Sequence, residues 1–251
     1  TAMRFVAYRD RKGGYIDQVA GTVNVSSSAR WRPAGTMRAN GVPVESARNG
    51  FKVGTDLSGA VMPNANALVE DDVNGTTYEG FRASVKHQIN DNWDALVTVA
   101  NQTIESDGVF FADPTLGDLE VKRFSDDSLS DEFDNISLTL EGSIGDLDIV
   151  YAGAYTDRFS DQIVDYTDYL FVGQYLPYYI CDYYVSYPQN GVAVGECGAP
   201  NLYVESDTNT EVTTHELRIN TDLSDTMSLT AGAFISDLEL LEHNMFTYPG
   251  A

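Results

Sequence analysis

Seven segments of this chain alternate apolar and polar side chains with a period of two, and the connections between them are in strict turn very short and very long. That combination constrains the fold more than any composition does. "WDALVTVANQTIE" puts Trp93, Ala95, Val97 and Val99 on one face, and Asp94, Thr98 and Gln102 on the other, with Leu96 out of phase. "NISLTLEGSI" separates Ile136, Leu138 and Leu140 from Ser137, Thr139 and Glu141. "LDIVYAGAYTDR", "EVTTHELRINT", "MSLTAGAFISDLEL" and "TTYEGFRASVKHQI" alternate in the same way, and "AMRFVAYRD" is a shorter seventh candidate. The short connections are "NDN" (90–92), "GD" (145–146) and "DLSDT" (222–226); the long ones cover about residues 10–74, 106–131 and 160–208. Loops beyond roughly 12–15 residues are uncommon in compact domains and usually functional. Tight turns on one rim and long loops on the other are the pattern of a barrel that spans an outer membrane.

In such a barrel the apolar face meets lipid and the polar face lines the lumen. That accounts for the charged residues recurring in mid-strand: Arg82, Lys86, Glu141, Glu216 and Arg218. In the core of a sandwich they would be buried at high cost. A soluble all-β domain with long loops is the competing architecture.

Charge narrows the function. The net charge of −23 is unevenly shared: residues 1–123 sum to −2 and residues 124–251 to −21, with only Arg158 and Arg218 as cations in the second part. A phosphate backbone would be repelled there, so no nucleic-acid partner is expected. With 11% aromatic residues the chain is too rich in large apolar groups to read as disordered. No run approaches the roughly 20 apolar residues of a membrane helix. The chain begins at Thr1 without a signal peptide, which reads as a mature chain or a fragment. Cys181 and Cys197 enclose 15 residues. In an oxidising compartment a bridge between them would contribute about 3 kcal/mol; in a cytosolic protein they would be free.

Three stretches, "RFVAYRDRKGGYIDQVAGT" (4–22), "LVEDDVNGTTYEGFRASVKHQINDNWDALVTVANQTIESDGVFFADP" (68–114) and "IVYAGAYTDRFSDQIVDYTDY" (149–169), resemble the barrel of TonB-dependent outer-membrane receptors of the iron-complex type. "THELRINT", a short turn and "AGAFISD" follow in the order that the family shows, and residues 23–67 match little. The resemblance implies an all-β chain, an antiparallel transmembrane β-barrel segment. Its seven or so strands would belong to a larger, 22-stranded barrel, with periplasmic turns and extracellular loops. Residues 1–251 would then be part of the barrel domain, since no plug, TonB box or closing strands are found. Seven strands leave two open edges, which lipid does not tolerate. The expectation is therefore the central part of a larger receptor in the outer membrane of a Gram-negative bacterium. Its partners would be membrane lipid, an iron complex such as a ferric siderophore, and the TonB system acting through the missing plug.

On this reading residues 160–208 form an outer loop. Tyr175, Tyr178, Tyr179, Tyr183, Tyr184 and Tyr187 either stack on a ligand or pack the loop against itself. The oxidising side of the membrane implies a Cys181–Cys197 disulfide, stiffening that loop. No Lys or Arg lies between Phe159 and Leu217, Arg158 and Arg218 excepted at its ends, which argues against an anionic ligand there. The acid runs "VEDDVN" (69–74) and "SDDSLSDE" (125–132) lack the spacing of a calcium loop and read as solvated acids. "DRKGG" (10–14) reads as a strand end and turn. His87, His215 and His243 stand singly, so no metal site is expected, and no cofactor. No catalytic constellation is present, and the chain is read as no enzyme. The alternative function is a soluble or surface all-β module that binds carbohydrate or protein through the tyrosine-rich loop.

Overall fold

A computed structural model describes residues 1–22, 64–167 and 202–247. These contain no α-helix, only one 3-10 turn at Asn66–Leu68. Their dominant element is a single antiparallel sheet of seven strands in the order β1-β3-β4-β6-β7-β8-β9. The strands are β1 (Ala2–Lys12), β3 (Thr76–Asn90), β4 (Trp93–Asp107), β6 (Ser128–Ile144), β7 (Leu147–Asp165), β8 (Tyr203–Ser224) and β9 (Met227–Thr247). Each strand pairs with its neighbour in sequence, so the sheet is a plain meander containing all seven alternating segments. A second, two-stranded parallel pair, β2 (Asp17–Gln18) with β5 (Glu120–Val121), lies among the connections.

All three short turns fall on one rim. Asn90 caps the first, its side-chain oxygen accepting from the Asn92 N–H at 2.9 Å. Gly145 in the second has φ +63°, the left-handed conformation that a two-residue hairpin needs. The three long connections all leave from the opposite rim.

The strands outrun the alternating segments that announce them. β7 continues to Asp165 and β8 begins at Tyr203, both within the stretch expected to be loop. The reason is physical. Toward the loop rim both faces of these strands are largely polar, so the hydropathy period fades while the hydrogen-bonded ladder runs on.

Register sorts the side chains into two unlike faces. One carries Met3, Phe5, Phe81, Val97, Leu138, Tyr151, Leu217 and Ile235, in a belt across all seven strands. These side chains lie on the surface: Phe5 is 69% exposed and Ile235 68%. The other face carries Thr98, Asp131, Ser137, Thr156, Ser206 and Arg218, and it is the more enclosed one, with Thr98 5% and Ser206 7% exposed. Polar side chains are sheltered and apolar ones are bare, the reverse of a soluble core.

Both limits of the belt step from strand to strand. The hydrogen-bonded row Trp93–Gly142–Ile149–Ile219–Ala231 ends the first hairpin, whereas the second runs two residues further, to Ile144–Leu147, and the third about four, to Ser224–Met227. The polar limit steps the same way. In the row Ala7–Phe81–Asn101–Asp134–Asp157–Glu211–Glu239 only the first two residues are apolar. One row nearer the turns, Phe5–Ala83–Val99–Ile136–Tyr155–Thr213–Asp237 stays apolar or aromatic through Tyr155. The belt runs from Ile136 to Ile144, Leu147 to Tyr155 and Met227 to Ile235, about 26 Å along each of these strands, and is shorter on β4, from Trp93 to Val99, about 20 Å. A step of one residue per strand, against an inter-strand spacing near 4.8 Å, tilts the strands by about 35° to the belt.

The sheet is not closed. Every residue of β1 is exposed, as is all of β9 apart from its last residue.

Candidate functional site

Most of the buried residues lie at the loop rim, where the bases of the long connections interlock. Ile16, Val109 and Val121 form a small apolar cluster, with Val73 and Ala112 packed against it. The β2–β5 pair holds it in place, and the Asn74 side-chain oxygen accepts from the N–H groups of Tyr15 (2.6 Å) and Ile16 (2.9 Å). Gly14 is required here: a Cβ on it would stand 1.8 Å from the Asp72 carbonyl oxygen.

Around this cluster runs a buried polar network. The Gln18 amide pairs with the Arg123 backbone in both directions, at 2.8 and 2.9 Å. The Arg123 guanidinium clasps Asp127 with two hydrogen bonds, Nε to Oδ2 at 2.8 Å and Nη2 to Oδ1 at 2.9 Å, and lies over the Phe111 ring. Asp165, 3% exposed, accepts from the N–H groups of Phe124, Ser125 and Thr167, and its own N–H donates to Asp127. Its carbonyl accepts from Arg123. Thr167 then ties to both the N–H and the carbonyl of Leu202, the first described residue before β8. Arg123 and Asp127 are paired as well as hydrogen-bonded, and the Asp165 carboxylate is held by backbone N–H groups, as burial demands. This network joins the β4–β6 connection to both ends of the β7–β8 connection.

Three motifs that the sequence presents separately meet at this rim. "DRKGG", "VEDDVN" and "SDDSLSDE" supply Arg11, Lys12, Glu70, Asp72, Asp126 and Asp127 to one cavity of about 530 Å³. Nothing in the sequence joins them, because the meeting depends on the sheet register. Among the described residues no three His, Cys, Asp or Glu side chains come together to hold a metal ion. Further out on the β4–β6 connection, the Thr115 hydroxyl and N–H hold the Asp113 carboxyl below its usual range.

Tyr175, Tyr178, Tyr179, Tyr183, Tyr184, Tyr187, Cys181 and Cys197 lie outside the described residues. His215 stands on the apolar face, its ring stacked on Tyr151 and hydrogen-bonded to the Tyr151 hydroxyl at 2.8 Å. His87 stands near the turn rim, bonded to the Thr1 hydroxyl at 2.6 Å.

No family model, curated protein or solved structure matches the chain. No helix among the described residues is long and apolar enough to cross a membrane, which bears only on helices.

Proposed function

We propose that this sheet is part of the wall of an outer-membrane β-barrel, a receptor of the TonB-dependent type that takes up a scarce solute such as a ferric siderophore. The observation that carries the reading is the belt. Its two limits, the turn rim and the switch to polar side chains, step in the same direction, the turn rim by about one residue per strand. That describes an apolar slab crossed by strands tilted about 35°, within reach of the 35–45° of membrane barrels. Corrected for tilt, the belt is about 22 Å high, close to the roughly 25 Å apolar band of such barrels. A soluble protein would expose this area only as an interface or an aggregation hazard.

The loop rim would then face outward and bear the ligand-binding loops, held on the Arg123–Asp127–Asp165 network. The receptor assignment itself rests on the sequence resemblance, and with it the TonB partnership and the plug.

Lysine at Val97 on the belt should destabilise the protein by about 2–4 kcal/mol in mixed micelles of detergent and lipid, whereas lysine at Ser137 on the polar face should cost less than about 1 kcal/mol. Denaturant unfolding of the two variants in such micelles measures this. Equal costs at both positions would reject the membrane wall and favour a soluble module.

A further inference from the structure

The net charge of the second half of the chain suggests an acidic lumen, but the register places much of it elsewhere. Above the belt, Glu132, Asp134, Asp157, Asp207, Glu211 and Glu239 all stand on the belt's own face, turned away from the polar face. The polar face is mostly neutral there, and the charged side chains at this site are hydrogen-bonded. Arg158 is doubly bonded to Asp131, whose side chain is 7% exposed, with Nη2 to Oδ2 at 2.6 Å. Glu242 accepts from the Asn244 amide at 2.8 Å.

Between these pairs lies a cavity of about 230 Å³, lined by Arg158, Ser160, Gln162, Ser206, Thr208, Thr210 and Glu242. Four of its groups are hydroxyls and one is an amide, each able to donate and accept. None of those five side chains bonds to another described residue, although Ser206 is only 7% exposed. They sit on adjacent strands, Ser160 opposite Thr208, Gln162 opposite Ser206 and Arg158 opposite Thr210, so the array is set by the ladder and not by loops.

We propose that this array is a binding site for a neutral polyhydroxylated solute, a single saccharide or polyol unit, on the lumen wall. The inference rests on the reading of the polar face as a lumen. An anion finds no free cation, because Asp131 already neutralises Arg158, and it meets Glu242. A neutral ring of hydroxyls meets five unengaged donor–acceptor groups. The volume lies below the roughly 300–1,000 Å³ of sites for drug-sized ligands, which suits one ring and excludes a bulky chelate.

The test uses the full chain refolded in mixed micelles of detergent and lipid, with maltotriose, one ring of which would fill the cavity, as the neutral probe and citrate as the anionic one, both followed by calorimetry. The expected result is binding of maltotriose and none of citrate, with maltotriose weakened about tenfold by Gln162→Ala or Thr208→Val. Thr213→Val, on the opposite face, should leave binding unchanged. Binding of citrate, no binding of maltotriose, or maltotriose binding untouched by the two pocket substitutions would each overturn the proposal. A fluorophore at Leu138→Cys and another at Ser137→Cys, quenched by spin-labelled lipid, separate the two levels of failure. Quenching at 138 alone with no maltotriose binding removes only the saccharide site; equal quenching at both removes the lumen and the site with it.

Discussion

Asp165 carries more of the loop rim than its place in the sequence suggests. It is one of 38 acids and sits at the end of a strand, yet three backbone N–H groups converge on its carboxylate. Removing its side chain leaves those three donors without an acceptor, while the Asp165 N–H still donates to Asp127. Asp165→Ala is therefore expected to cost about 3 kcal/mol. Its signature would be faster amide exchange at residues 124–127 and 167, with the belt strands unchanged. Exchange unaltered at the rim would mean that water takes over the role of the carboxylate. The sequence offers no sign of this role, because one Asp among many acids has no periodicity to betray it. The same holds for Gln18 and Asn74, whose partners lie 105 and 58 residues away.

At the scale of elements, legibility follows the environment of each strand. Where one face is apolar and the other polar, the period-two signal is strong, and all seven segments read from the sequence lie in the sheet. Above the belt the signal is lost, so the continuations of β7 and β8 are silent in the sequence although the ladder pairs Asp165 with Tyr203. β2 and β5, two residues each, were equally beyond reach, since no pattern fits in so short a span. A direct check is hydrogen exchange over Glu205–Glu211. These amides should be protected as well as those around Leu217, because both stretches lie in the same interior strand between β7 and β9. Rapid exchange confined to 205–211 would return that stretch to loop.

At the scale of the whole molecule, the open sheet sets a rule of parity. Strands alternate in direction through the meander, so the first and the seventh run the same way. Direct pairing of β1 with β9 would be parallel, and an antiparallel closure needs an odd number of further strands. Identical copies of this sheet, standing the same way up, meet only in parallel seams. The edges are bare backbone along 11 residues of β1 and 21 of β9. In the chain alone, refolded in detergent, every second amide of β9 should therefore exchange rapidly while β6 and β7 stay protected. Uniform protection of β9 would show that the edge is covered.

The step of one residue per strand turns each hydrogen-bonded row into a ramp. Ala95, Leu140, Tyr151, Leu217 and Ala233 lie in one such row and look equivalent in the ladder. Each strand crossed lifts the row by about 2.7 Å above the turn rim, so Ala233 stands about 11 Å higher than Ala95. Neighbours across the ladder thus sample different depths of whatever surrounds the belt, and a side chain's depth is set jointly by its number and its strand. A substitution scan read along one row would trace a depth profile, and the same scan read along one strand would trace it more steeply.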